Sequence, residues 1–176
     1  MSDVTSPKAQ LDYAIATWVY VLHASGVEVI NPDIKGHCEA ISAATEATTG
    51  NQAGEALVHA ISAKLGGTTK DDVVALTTTL FGDRLHQGFD ASSRQERASH
   101  IRAYQFAKNL PWLSQIYERQ PGGEVGPTWL VVERVTDQVT AMDPNPWNDI
   151  DEERHLPLSD YHVLWELSGC ASVALA

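Results

Sequence analysis

The chain has 176 residues, enough for one domain with a substantial core, and its 43% apolar and 20% charged content excludes a disordered tail and a membrane-embedded protein. Its 12 basic and 23 acidic residues give a net charge of −11, spread as −5 over residues 1–88 and −6 over residues 89–176. A charge of this sign, distributed rather than held in a tail, argues against nucleic acid and anionic membrane surfaces and favours a basic or neutral peptide or protein partner.

Two cysteines, Cys38 and Cys170, make neither a disulfide framework nor a zinc-ribbon set. No apolar run approaches the roughly 18–20 residues that span a bilayer. The stretch Ala14–Leu22 follows Asp3 and Asp12 rather than the basic flank of a signal peptide. The expected setting is cytoplasmic, with reduced thiols.

In chain order, Leu11, Ala14, Ile15, Trp18, Val21 and Leu22 recur at helical spacing, and Ser25-Gly26 ends that helix. Val27–Ile30 reads as extended, and Pro32 and Gly36 punctuate a loop. Cys38–Thr48 has the small-residue composition of a closely packed central helix, with Gly50 past its end. Ala53–Leu65 predicts a further helix stopped by Gly66-Gly67. Thr69 with Asp72 forms a capping-box pattern for a helix to Phe81, and Ser93 with Glu96 another for a helix to about Lys108. Pro111 predicts a short helix over Trp112–Glu118.

The pattern then changes. Gln120–Pro127 is a loop by composition, and Trp129–Val135 and Val139–Met142 predict a hairpin turning at Thr136-Asp137-Gln138. Asp143–Asp149 is turn-rich. Leu158–Leu167 predicts a short helix capped by Ser159, and Gly169–Leu175 a final strand. The expectation is an α+β fold in a single domain 1–176. Its helical part, about 9–119, would pack on a small antiparallel sheet from about 127–176.

The first candidate site is Gly36-His37-Cys38. A cysteine at a helix N-terminus has its thiolate stabilised by free N–H groups and the helix dipole, and a glycine before it admits substrate backbone. A nucleophilic cysteine also needs a base. His37 is adjacent but points elsewhere on a helix, and His155 is a more distant possibility. The alternative for Cys38 is a small buried residue. Asp149, Asp151, Glu152 and Glu153 lack the spacing and glycine of a calcium loop, so neither a metal nor a cofactor is expected.

The second candidate is the predicted hairpin. Pro127-Thr128-Trp129-Leu130-Val131-Val132, then Val139-Thr140-Ala141-Met142-Asp143-Pro144, resembles the second half of papain-like cysteine peptidases, especially the bacterial peptidases that trim double-glycine leaders. Leu156–Leu175 resembles that family's closing helix and strand. The resemblance implies Cys38 as nucleophile, Asp143 as orienting acid, and Thr128 in the place of the catalytic histidine. A threonine hydroxyl is no general base near neutral pH. Asn31, Pro32 and Asp33 stand where the family places an oxyanion-stabilising glutamine. The resemblance therefore implies a degenerate papain-like domain that binds a peptide or protein segment without cleaving it. Gly36, His37, Thr128, Trp129 and Trp147 would line its cleft, and catalysis is not expected. Two alternatives stay open: an active cysteine hydrolase or acyl-transferase whose base comes from elsewhere, and an acidic inhibitor, immunity protein or accessory subunit.

Overall fold

The computed structural model describes residues 7–82, 85–87, 111–120, 122–142, 153–169 and 172–175. The predicted helix over Ser93–Lys108 and the Asp143–Asp149 loop lie outside these residues.

Four helices come first: α1 (Pro7–Ala24), α2 (Pro32–Ala43), α3 (Ala47–Lys64) and α4 (Lys70–Phe81). A six-stranded antiparallel sheet follows, of β1 (Leu85–Gln87), β2 (Trp112–Arg119), β3 (Val125–Val135), β4 (Gln138–Met142), β5 (Glu153–Pro157) and β6 (Ser172–Leu175), with α5 (Leu158–Leu167) before β6. The strand order is β1-β6-β2-β3-β4-β5. The fold is α+β as expected. The boundary differs, because β1 and β2 fall inside the stretch expected to be helical.

The central helix is α1, not the Cys38 segment. Every residue from Leu11 to Val19 is buried. Only a helix covered on all sides does this: α1 packs on β3 and β2 on one side and on α2 and α3 on the other. Trp18 lies at 0% exposure, meets Phe81 edge-to-face at 5.7 Å, and donates its indole N–H to the Pro111 carbonyl at 3.0 Å. Its burial and its polar atom are both satisfied, as a buried tryptophan requires.

The segment after α1 is extended as predicted, and its Ile30 N–H bonds to the Leu80 carbonyl at 2.9 Å. Pro32 does not punctuate a loop. It begins α2, with Asn31 as N-cap accepting from the N–H groups of Asp33 and Ile34. Proline suits the first helical turn because its missing N–H would have no partner there. The Thr69–Asp72 capping box forms as the sequence predicts, and its hydrogen bonds hold the Asp72 carboxyl below the usual range.

Trp112–Glu118, expected as a helix, is strand β2. Its residues are covered on both faces: Leu113 joins the α1-side core, while Trp112 and Ile116 join the core under α5. A strand buried on both faces loses polar–apolar alternation, so its period does not distinguish it from a helix. The β3–β4 hairpin forms as predicted, with Val135 opposite Val139 and a register shift between Val132 and Arg134.

Helix α5 forms over the predicted residues, but its N-cap is Pro157, not Ser159. Hydroxyls and an indole fasten it to the sheet. Ser114 and Ser172 face each other across β2 and β6. Ser114 shares a 2.5 Å hydrogen bond with the Tyr161 hydroxyl, and Trp165 donates to Ser172 at 2.9 Å. Ser168 donates to the Gln115 carbonyl at 2.7 Å. Small serines in the strands leave room for the stacked Tyr161–Trp165 pair, whose centroids are 6.0 Å apart.

Candidate functional site

Cys38 is not at a helix N-terminus. It lies well inside α2, on the stripe Ile34–Cys38–Ile41 that turns into the α1-side core, and its exposure is 0%. The free N–H groups of the first turn, those of Asp33 and Ile34, donate to the Asn31 side-chain oxygen at 3.1 Å each rather than to a thiolate. Burial, with a smaller contribution from the Glu39 charge, pushes the Cys38 thiol up to about 11. Near neutral pH the group is a thiol packed as a small hydrophobe.

Gly36 lies within α2 rather than in a loop, and a side chain placed there would meet nothing within 4 Å. His37 is half-buried, with its ring 3.8 Å from the Asp33 carboxylate on the same helix. Neither faces Thr128.

Strand alternation decides where Thr128 points. Trp129 and Val131 enter the α1-side core, and Leu130 and Val132 enter the core under α5. Thr128 therefore shares the α5-facing side, opposite to the side packed against Cys38 and its neighbours. It is 5% exposed and accepts from Gln120 at 2.9 Å. Asp143 and Trp147 lie outside the described residues. The juxtaposition of Cys38 with Thr128 that the peptidase resemblance implies is absent. Two predicted binding residues, Thr128 and Trp129, are brought to one place, but on opposite faces of one strand.

Around Thr128 the structure gathers side chains that the sequence did not single out. Arg154 from β5 makes two hydrogen bonds to Glu118 from β2, at 2.9 and 2.8 Å. Burial draws the Glu118 carboxyl upward, but the Arg154 hydrogen bonds and charge and a Thr128 hydrogen bond outweigh it, leaving the carboxyl below its usual range. Two strands, β3 and β4, separate β2 from β5, so the sheet must curl toward α5 for this pair to close.

The other side of this end of β3 is organised by Gln10 of α1. Its amide donates to the Trp129 carbonyl at 2.8 Å and accepts from the Trp129 N–H at 2.9 Å. Next to it lies a depression of about 580 Å³ lined by Gln10, Gln120, Gly122, Glu124, Val125, Gly126 and Pro127. Gly126 permits close approach, since a Cβ there would sit 3.3 Å from Gln120 Cγ. Val125 is 59% exposed. Most of this lining was read from the sequence as a plain loop; β3 in fact begins at Val125.

No protein family model, curated protein or solved structure matches this chain. The site is therefore read from its own geometry. Among the described residues, no helix is long and apolar enough to cross a membrane. The geometry offers backbone and amide hydrogen-bonding groups beside a concave surface, without an accessible nucleophile among the candidates named from the sequence.

Proposed function

We propose that this chain binds a peptide or protein segment without cleaving it. The observation that carries the reading is the place of Cys38. Its thiol is sealed in the core on the side of the sheet opposite Thr128, with its ionisation pushed up to about 11. Thioacyl chemistry needs a thiolate that substrate reaches and a base within hydrogen-bond distance. Neither condition suits a fully covered thiol on an apolar helix stripe. The proposal does not need the peptidase ancestry that the sequence suggests. The depression beside β3 supports it, because amides and strand backbone recognise extended chains, and the net charge of −11 favours a basic or neutral partner.

Alkylation tests the thiol. The folded protein at pH 8, treated with iodoacetamide and digested for mass spectrometry, should show Cys38 unmodified until denaturant is added. A quenched fluorescent peptide mixture should be left intact by wild type and by Cys38→Ala alike. Labelling of Cys38 at the rate of a free thiol, or cleavage lost in Cys38→Ala, would overturn the reading in favour of a cysteine hydrolase.

A further inference from the structure

We propose that the edge of β3 at Val125–Pro127 takes an extended, lysine- or arginine-bearing segment of a partner protein as an added strand. This rests on the peptide-binding reading and gives it a place and a chemistry.

Hydrogen-bond direction decides which backbone groups of β3 are open to a partner. In an antiparallel strand, consecutive residues direct their N–H and C=O groups to opposite sides. The Gln120 N–H bonds to the Glu124 carbonyl at 2.7 Å, so even-numbered residues at this end of β3 address β2. Odd-numbered residues address the other edge. Trp129 agrees, since both of its backbone groups go to Gln10. Val125 and Pro127 therefore direct their groups to the same side as Trp129. Among the described residues, β4 does not reach them: its last paired residue, Met142, lies opposite Val131.

Gln10 makes to Trp129 the same pair of hydrogen bonds that one residue of a neighbouring strand would make. The row continues toward the loop with the Pro127 C=O and the C=O and N–H of Val125. The depression of about 580 Å³ lies along this row and is lined by Val125, Gly126 and Pro127. An added strand would continue what Gln10 begins. Its charge follows from the lining. Among the described lining residues Glu124 is the one that is charged, and the chain as a whole carries −11. Arg119, the nearby cation of β2, has its guanidinium on the Gly123 carbonyl at 3.2 Å. A lysine or arginine placed opposite Glu124 is thus favoured over an acidic residue.

The test uses the full chain and two fluorescein-labelled hexapeptides, alternating Lys-Val and alternating Glu-Val, read by fluorescence anisotropy. The Lys-Val peptide should bind at least tenfold more tightly. Val125→Pro removes an outward N–H while sparing the β2 ladder, and should weaken Lys-Val binding tenfold or more with an unchanged thermal transition. Glu124→Lys should reverse the charge preference. Amide exchange on wild type guards against misfolding of the proline variant: the Val125 N–H should gain protection when the Lys-Val peptide is added. Binding that ignores Val125→Pro and leaves the Val125 amide unprotected would overturn the β3 site while leaving non-catalytic peptide binding standing. Failure of both peptides to bind would overturn strand addition, and Cys38 alkylation would then judge the broader reading separately.

Discussion

The two faces of the sheet are held by different physics. On one, α1 and the helices behind it form a continuous apolar layer in which Trp18, Ile15, Ile34 and Leu57 are fully covered. On the other, helix α5, the one helix among the described residues on this face, is fastened by Tyr161–Ser114, Trp165–Ser172 and Ser168–Gln115 hydrogen bonds, with the Glu118–Arg154 pair beyond it. A broad layer gains its stability from area, and many orientations of its parts would bury similar area. A ten-residue helix such as α5 has less area to gain and needs directional bonds to fix its angle. Cys38 belongs to the first kind of surface and Thr128 to the second, which is why proximity in a motif did not become proximity in space.

Substitutions separate the two faces. The largest effects should come from the tryptophans. Trp18→Ala and Trp165→Ala should each cost about 3–5 kcal/mol, measured by denaturant unfolding. For Trp165→Ala the loss should shrink when Ser172→Ala is already present, because the two share a hydrogen bond; Trp18→Ala should be indifferent to Ser172. Equal coupling of both tryptophans to Ser172 would dissolve the distinction between the faces.

Arg154→Ala should cost about 1–3 kcal/mol by leaving the half-buried Glu118 carboxylate without its partner. Because the folded carboxyl of Glu118 is depressed, its contribution is present above the ordinary carboxylate range and is lost as pH falls through the lower folded value. Glu118→Gln should therefore flatten the acid limb of a stability–pH profile. Cys38→Ser should cost roughly 1–3 kcal/mol by burying a hydroxyl among apolar side chains. Since folding raises the thiol from 9.0 to about 11, stability is unaffected below 9 and declines between these values; Cys38→Ala should remove that alkaline decline. Smallest is Gly36→Ala, which should stabilise the protein by about 0.5–1 kcal/mol, visible as a raised Tm. A helical glycine with open space around it has no steric reason to resist alanine. Destabilisation there would restore a close-approach role for Gly36.

These contrasts also mark what the sequence could tell. Elements with local chemistry were legible: α1 from its apolar stripe and glycine stop, α4 from Thr69–Asp72, and the hairpin from β-rich runs around Thr136-Asp137-Gln138. The α+β class followed from their order. What failed depended on distant partners. Pro32 carries the same local signal in a turn and at a helix start, and Asn31 makes the difference. Trp112–Glu118 lost its strand period because both faces are covered. Gln10, Glu118, Gln120 and Arg154 were not legible as a cluster, since they are scattered in sequence and only the curled sheet and α1 bring them near Thr128 and Trp129.

Strand β6 has a kinetic consequence. It is contributed by Ser172–Leu175, yet it lies inside the sheet between β1 and β2. Its partner Ser114 is far behind it in sequence, and β1 is farther still. During synthesis the helices can gather well before this strand leaves the ribosome. Until it arrives, β2 presents an open edge to every neighbouring chain. Closing the sheet requires a long-range loop closure, a slow step for a chain of this size. Nascent molecules should be most prone to aggregate, and most dependent on chaperones, in the interval before these four residues dock.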